Sequence, residues 1–238
     1  MMRILGILFS CAVMMCGMGA AHADKRIALL IGNASYSDTI GPLDNPENDL
    51  ELVKSTLMKT GFSETDIVVV RNADRHKMLT ELDAFTKRVA VLGSNDVALF
   101  YYSGHGAKKP GEKGLHLIPV DAENIADVSF WFDTVSFDQR VLDALEKTNS
   151  QAALVVSIDA CRNELKLPIR ALASGDKGFG TIPSAAGMLI SFAADDNQTA
   201  RDYVQNGGEK SVNSPYALAL SEELLKPGRT LSSAFGAV

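Results

Sequence analysis

Cysteine is scarce in this chain, which has three cysteines in 238 residues. So few thiols exclude the disulfide-dense scaffolds of small exported proteins. Two of the three, Cys11 and Cys16, lie close to the N-terminus, and only Cys161 lies in the body of the chain. If Cys11 and Cys16 are removed with an N-terminal signal, Cys161 has no disulfide partner within its own chain. It is then either a free, reactive thiol or a buried, inert one that packs like a small hydrophobic residue.

Residues 1–23 have the features of an export signal. Arg3 supplies a basic start, Ile4 to Met18 form an apolar stretch, and Ala21-His22-Ala23 gives a small-x-small cleavage site before Asp24. The stretch is interrupted by glycines and is short for a membrane span of about 20 residues, so an uncleaved anchor is the weaker alternative. We therefore expect a signal peptide at residues 1–23, a domain at residues 24–238, and a periplasmic or secreted protein without a stable membrane anchor.

Positive charge is also in short supply. Residues 1–23 hold one arginine and no acidic residue, so the remaining part has 22 basic and 29 acidic residues and a net charge of about −7. This balance disfavours a nucleic-acid partner and favours cationic ones.

The chain also has only four histidines. Of these, His76 begins an exposed helix pattern and His116 lies in an extended segment, so we expect structural roles for both and no zinc site.

Strand and helix patterns alternate along the chain. The predicted strands are continuous apolar runs and the predicted helices have apolar residues at helical spacing. Strands are expected at residues 26–32, 66–71, 96–102, 115–119, 152–158 and 188–193, and helices at 46–60, 74–89, 137–147 and 215–225. Asn45 and Asp74 are the expected N-caps of the first two helices. This order predicts one α/β domain with a mostly parallel sheet and helices on both faces.

Two polar motifs follow buried-strand patterns. The segment Ser103-Gly-His105-Gly follows the third strand, which ends in Tyr101-Tyr102, and Asp159-Ala-Cys161-Arg follows the strand at residues 152–158. If these strands are neighbours, both motifs lie in the crevice beyond the carboxyl ends of the sheet. A thiolate is a nucleophile, and an adjacent imidazole removes the thiol proton and can later protonate a leaving amine.

The glycines beside His105 have two interpretations. Gly104 and Gly106 permit an unusual turn, and the N–H of Gly106 together with that of Cys161 would bind the oxyanion of an acyl transition state. A tight turn without an oxyanion site accounts for the glycines equally well.

The motifs YYSGHG and DACR, with His105 and Cys161 56 residues apart, resemble those of caspase-like cysteine peptidases (peptidase C14), especially the bacterial metacaspase or orthocaspase branch. The similarity extends from RIALLIGN at residue 26, through LDNPENDL at 43–50, to ADDNQTARD at 194–202. It implies a three-layer caspase-haemoglobinase-like fold. It also implies peptide-bond hydrolysis by a Cys161–His105 dyad, with no metal in the chemical step and no cofactor, while a calcium requirement stays open.

The resemblance also implies a preference for substrates. Metacaspases carry Asp two residues before the cysteine, as Asp159 here, and accept Arg or Lys at P1, the residue before the cleaved bond. A second acidic residue of their S1 pocket, which holds P1, matches Asp49, and Asp195 and Asp196 match the pocket rim. The residues alone leave other roles open. Asp49 could serve only to interact with the helix dipole, and Asp159 could serve only to accept hydrogen bonds from nearby backbone N–H groups. Asp195 and Asp196 could be ordinary loop carboxylates.

Some features depart from the family pattern. Arg162-Asn163 follows the cysteine instead of His-Ser-Gly or Arg-Gly, and the chain stops at TLSSAFGAV, before the terminal helix and strand that such modules often include, as a truncated or an early-ending domain would. Arg170 and Lys177 lie where relatives are cleaved during activation, and are expected autocleavage points or ordinary solvated loop residues. The competing functions are a catalytically silent interaction module and another Cys-His acyl hydrolase or transferase.

Overall fold

The described residues form a layered arrangement of strands and helices. A computed structural model describes residues 24–109, 112, 114–125, 127–161, 188–193, 205–206 and 209–235. The strands are β1 (Arg26–Gly32), β2 (Ile67–Arg71), β3 (Val97–Lys108), β4 (Leu115–Leu117), β5 (Val135–Ser136), β6 (Ala153–Cys161), β7 (Met188–Phe192), β8 (Gln205–Asn206) and β9 (Glu209–Lys210). The helices are α1 (Pro46–Lys59), α2 (Arg75–Val89), α3 (Phe130–Asp133), α4 (Asp143–Glu146), α5 (Pro215–Leu225) and α6 (Leu231–Phe235), with a 3₁₀ turn at Glu64–Asp66 and a π-helical turn at Asp138–Leu142.

The main sheet is parallel, in the order β2–β1–β3–β6–β7. Strand β3 is at its centre, paired with β1 on one side and β6 on the other. The last three residues of β3 pair antiparallel with β4, which in turn pairs antiparallel with β5. The predicted strands at residues 96–102 and 152–158 are therefore neighbours, which places the two polar motifs side by side.

Helices cover both faces of the sheet. On one face Met78, Phe85 and the other apolar residues of α2 pack on alternate residues of β1, β3 and β6. On the opposite face Leu50 and Val53 of α1, together with α5, pack on the other alternate residues of these strands, whose side chains point to that face. Each fully buried Leu, Ile or Phe side chain contributes roughly 1.5–3 kcal/mol to this packing. The predicted three-layer α/β fold with a mostly parallel sheet is confirmed.

The two long N-terminal helices begin where the sequence predicts, but by different means. Asp74 caps α2, since its side chain accepts a hydrogen bond from the Lys77 N–H at 2.6 Å. Asn45 occupies the N-cap position of α1 but makes no side-chain capping bond, because its backbone is already in the helical region. Pro46 at the first helical position supplies the helical φ angle there.

Two expectations about the strands and one about a helix were wrong in detail. Strand β3 continues through His105 to Lys108, and β6 continues through Asp159 to Cys161, whereas a loop was expected after each. The strands continue because β6 and β4 provide partners for the glycine-rich segment of β3. The helix expected at residues 137–147 is a π-helical turn followed by the short α4.

Among the residues that the structure describes, no helix has both the length and the apolar composition needed to cross a membrane.

Candidate active site

His105 and Cys161 are neighbours in the sheet. The register of β3 and β6 pairs Ser103 with Asp159, Gly104 with Ala160 and His105 with Cys161. Neighbouring strands lie about 4.8 Å apart, so the backbones of His105 and Cys161 are at the same level of the sheet at that separation. Cys161 is also the last residue of β6. The fold therefore brings together the two residues that the sequence indicates as nucleophile and base.

The imidazole of His105 has a defined tautomer. Its Nε2 lies 2.8 Å from the carbonyl oxygen of Gly41, in the loop between β1 and α1. A carbonyl oxygen only accepts hydrogen bonds, so Nε2 carries the proton and Nδ1 holds the lone pair of the neutral ring. His105 is half-buried. Nδ1 is therefore the nitrogen that can act as a base.

Two tyrosines contact the main chain of His105. The His105 N–H donates to Tyr36 Oη at 3.0 Å, and Tyr102 Oη donates to the His105 carbonyl at 2.8 Å. Tyr36 also stacks its ring against the imidazole, with the ring centroids 4.6 Å apart at a tilt of 54°. Both phenols lie within hydrogen-bonding distance of the Ile118 carbonyl, at 3.0 and 3.1 Å.

The glycines beside His105 are not in a turn, which corrects that part of the sequence interpretation. Both lie within β3, and Gly106 pairs with Leu117 of β4. Gly104 is required by close packing instead, because a Cβ there would lie 2.7 Å from Tyr36 Oη and 2.8 Å from Tyr102 Oη. An oxyanion role for Gly106 and Cys161 stays a prediction.

Asp49 is fully buried near the start of α1, facing the sheet. Its Oδ1 accepts from Asn213 Nδ2 at 3.0 Å and from the Ser214 N–H at 2.9 Å, and its Oδ2 accepts from Ser103 Oγ at 3.3 Å. Burial raises the pKa of this carboxyl above 3.8, and the hydrogen bonds from Ser214, Asn213 and Ser103 oppose that rise. These bonds fix the carboxyl group at the end of the sheet where β3 carries its polar motif.

Asp159 is nearly buried, with 7% of its surface exposed, and lies on β6 two residues before Cys161. Its Oδ2 accepts from Tyr101 Oη at 3.0 Å and from Ser214 Oγ at 2.5 Å. Burial first, and then the Asp159 charge, raise the pKa of Tyr101, so this phenol stays protonated and able to donate.

Ser214 joins the two carboxylates. Its N–H binds Asp49, while its hydroxyl donates to Asp159 and accepts from the Ala217 N–H as the N-cap of α5. Asp49 and Asp159 therefore share one hydrogen-bonded network through Ser214. Their predicted contact with a substrate stays a prediction.

Several residues of the site escaped the sequence interpretation. Ser103 has a recognisable signal, since it lies two residues before His105 in the same motif, and Ser214 has one as a serine directly before a helix-starting proline. Tyr36 and Gly41 have none, because the fold alone brings their loop to His105. His76 is exposed on α2, and His116 bonds Thr134 Oγ1 through Nδ1 at 2.7 Å and packs edge-on against Trp131, in line with structural roles.

The remaining candidates lie outside the described residues. These are Asp195 and Asp196 of the expected pocket rim, Arg170 and Lys177 as expected autocleavage points, and Arg162-Asn163 after the cysteine.

Comparison with known proteins identifies the family. The family model of the caspase domain, peptidase C14, matches residues 25–238. Metacaspase-9 of Arabidopsis thaliana is 32% identical over 120 residues, which cover 44% of this chain and 37% of that protein. Metacaspase-1 of Candida albicans is 34% identical over 98 residues, which cover 38% of this chain and 22% of that protein. Metacaspase-1 of Lodderomyces elongisporus is 34% identical over 89 residues, which cover 35% of this chain and 20% of that protein.

These matches span between a fifth and about a third of the length of the curated relatives. The family model, in contrast, extends over nearly the whole region that carries the sheet, the His105–Cys161 pair and the buried carboxylates. The chain therefore belongs to the caspase-domain family, peptidase C14.

Proposed function

We propose that this protein is a cysteine endopeptidase in which Cys161 is the nucleophile and His105 the base, with a preference for Arg or Lys at P1. The observation that carries the proposal is the register of β3 and β6, which makes His105 and Cys161 partners. Membership of a family with metacaspase relatives supports the same chemistry.

The proposed reaction uses Nδ1 of His105. This nitrogen takes the proton of the Cys161 thiol, and the thiolate attacks the carbonyl carbon of the peptide bond. The resulting oxyanion is bound by the N–H groups of Gly106 and Cys161. The C–N bond then breaks, the imidazolium protonates the departing amine, and water hydrolyses the thioester with His105 again as base. Each proton taken is returned, and the thiol is regenerated.

The preference for a basic P1 residue rests on Asp49 and Asp159. Both are buried and tied to Ser214, and both lie on elements next to the reacting pair. Little water screens a buried carboxylate, so its attraction for a guanidinium or ammonium group is strong. The net negative charge of the chain favours the same class of substrate. We propose Asp49 and Asp159 as acidic groups of the S1 pocket, with Asp195 and Asp196 at its rim.

Peptide hydrolysis tests the catalytic proposal. Fluorogenic peptides that differ only in P1, with Arg, Lys or Asp, are incubated with the protein and with its Cys161→Ala variant. We expect turnover of the Arg and Lys peptides by the unmodified protein and none by the variant. Turnover that survives in Cys161→Ala refutes the mechanism, and a preference for Asp refutes the pocket. Complete inactivity with a folded, titratable thiol favours a catalytically silent module.

We also propose that residues 1–23 direct export and that cleavage after Ala23 leaves Asp24 at the N-terminus. The support is the basic start, the apolar stretch and the small residues before the expected cut. Expression in a bacterial host followed by fractionation and N-terminal mass determination tests this proposal. A full-length chain retained in the cytoplasm refutes it.

A further inference from the structure

We propose that Tyr36 and Tyr102 are positioning residues for His105: together they hold its main chain, so that its imidazole keeps its bond to the Gly41 carbonyl and can act as the base for Cys161. The inference rests on the proposed function, in which His105 is the base for the Cys161 thiol. It adds two residues that make no contact with the thiol in that mechanism.

The first argument is that each tyrosine takes one polar group of the His105 backbone. Tyr36 Oη accepts from the His105 N–H at 3.0 Å, and Tyr102 Oη donates to the His105 carbonyl at 2.8 Å. An N–H in a strand normally pairs with a carbonyl of the neighbouring strand. Here a side-chain hydroxyl from the loop after β1 takes that place, so the backbone of His105 is tied to a loop that also holds its ring.

The second argument is that the same loop holds the imidazole from two directions. Gly41 accepts from Nε2 at 2.8 Å, and the Tyr36 ring packs on the imidazole at 4.6 Å between centroids. The loop is braced internally, since the Gly41 N–H donates to the Ser37 carbonyl at 2.8 Å. Loss of the Tyr36 hydroxyl would remove the acceptor of the His105 N–H and leave the ring contact of residue 36 in place, while the His105 carbonyl keeps its bonds from Tyr102 Oη and the Ile118 N–H.

The third argument is that the arrangement leaves little freedom. The two phenolic oxygens are 3.3 Å apart, and both lie against Gly104, where any Cβ would be less than 3 Å from them. Burial is the main cause that raises the pKa of both phenols, so both stay protonated and keep their donor roles throughout the pH range of a thiol peptidase. Such a buried pair suits a fixed support better than a proton carrier.

The test measures the thiol directly instead of peptide turnover. The full chain is treated with iodoacetamide between pH 5 and 10, and mass spectrometry follows the alkylation rate at Cys161. Only the thiolate displaces iodide, so the midpoint of the rate profile reports the pKa of Cys161. We expect a midpoint below the ordinary thiol value of about 8.5 in the unmodified protein.

The variant Tyr36→Phe removes one hydroxyl and keeps the ring. We expect its alkylation midpoint to rise by about one pH unit, because His105 no longer pairs as well with the thiolate, and the rate to fall about tenfold at pH values well below both midpoints. In peptide hydrolysis kcat should fall while KM is unchanged. Tyr102→Phe should act in the same direction and serves as the second variant if Tyr36→Phe does not fold.

Tyr216→Phe is the matched control. Tyr216 is also a buried phenol, with Ser157 and Ser191 as partners, and it makes no contact with His105. The Tyr216→Phe substitution should lower the melting temperature about as much as Tyr36→Phe does, without moving the alkylation midpoint of Cys161. A midpoint that is unchanged in folded Tyr36→Phe and Tyr102→Phe, or that moves equally in Tyr216→Phe, overturns the inference. If peptides are not cleaved but the midpoint shifts as expected, the inference stands and the peptidase proposal fails.

Discussion

At the scale of single residues, the site depends on polar groups that the fold holds away from water. Asp49 and Asp159 are buried, and each has at least two hydrogen-bond donors. The hydroxyl and N–H of Ser214 serve both carboxylates and also the start of α5. A change at any one of these groups therefore leaves a buried donor or acceptor unpaired, at a cost of about 1–3 kcal/mol.

Removing the charge of Asp159 tests the pocket. In Asp159→Asn we expect kcat/KM for a P1 Arg peptide to fall about 10- to 100-fold, because a charge-assisted contact with the guanidinium is lost. The rate of Cys161 alkylation should stay within about twofold, since the thiol and its base are retained. Steady-state kinetics and mass spectrometry provide the two measurements.

Asp96→Asn is the matched control for that variant. Asp96 is buried to the same degree, at 7% exposure, but it precedes β3 at the opposite end of the strand, where it accepts from the Lys25 and Gly93 N–H groups. It should leave kcat/KM unchanged. Equal losses in both variants would contradict the assignment of Asp159 to the pocket.

Asp49 also gives a pH dependence of stability. Its pKa is raised in the folded state above 3.8, so the folded protein binds this proton more tightly than the unfolded chain. The contribution of Asp49 to the free energy of unfolding therefore falls as the pH rises from 3.8 to the folded pKa, and is constant above it. Over that range the melting temperature of the unmodified protein should fall relative to that of Asp49→Asn as the pH rises. A constant difference, or one that changes in the opposite direction, would contradict the raised pKa.

At the scale of elements, helix capping shows where a local sequence rule applies and where it does not. Both Asn45 and Asp74 are favourable N-cap residues by type, yet only Asp74 makes the capping bond. The Nδ2 atom of Asn45 is buried without a partner among the described residues. The residue type at a cap therefore predicted the start of both helices but not how each start is stabilised.

Alanine substitutions at the two caps should differ in effect. Asp74→Ala should lower the free energy of unfolding by about 1 kcal/mol, because the Lys77 N–H loses its acceptor. Asn45→Ala removes no capping bond and should change it by less than about 0.5 kcal/mol. Urea unfolding followed by circular dichroism measures both. Equal destabilisation by the two substitutions would contradict the difference between the caps.

The sequence predicted the order of the strands and helices better than the ends of the strands at the site. The apolar runs of β1, β3 and β6 were recognisable because strands covered on both faces need continuous apolar sequence. The continuation of β3 through Ser-Gly-His-Gly was not, since glycine-rich segments resemble turns when considered alone. This segment stays a strand because β4 and β6 pair with it, and such long-range pairing leaves no local signal in the sequence.

At the scale of the whole molecule, the site is assembled from distant parts of the chain. His105 and Cys161 come from two strands, while Gly41 and Tyr36 come from the loop after β1 and Ser214 from the start of α5. The motifs predicted that His105 and Cys161 lie on neighbouring strands, which the register shows, while the catalytic role of this pair and the pocket role of Asp49 and Asp159 stay predictions. They could not predict the supporting residues, because separations such as the 69 positions between Tyr36 and His105 are bridged only by the fold.

Autocleavage is a prediction for the whole chain. If the pocket accepts basic P1 residues, concentrated protein should cut itself after Arg170 or Lys177 in a few hours, while Cys161→Ala stays intact. Intact-mass spectrometry during incubation detects the products. Arg170→Gln and Lys177→Gln, alone and together, identify the site of the cut. A chain that stays intact with full activity towards peptides would contradict autoprocessing.

The hydrogen bond from His105 Nε2 to the Gly41 carbonyl has a consequence for the order of events in the proposed reaction. With Nε2 occupied, the ring exchanges protons through Nδ1 alone, so the proton lost by sulfur and the proton gained by the amine pass through the same atom. The amine must therefore depart on the side of the ring that carries Nδ1. The water that ends the cycle has to enter by that route, and it can do so only after the first product has left.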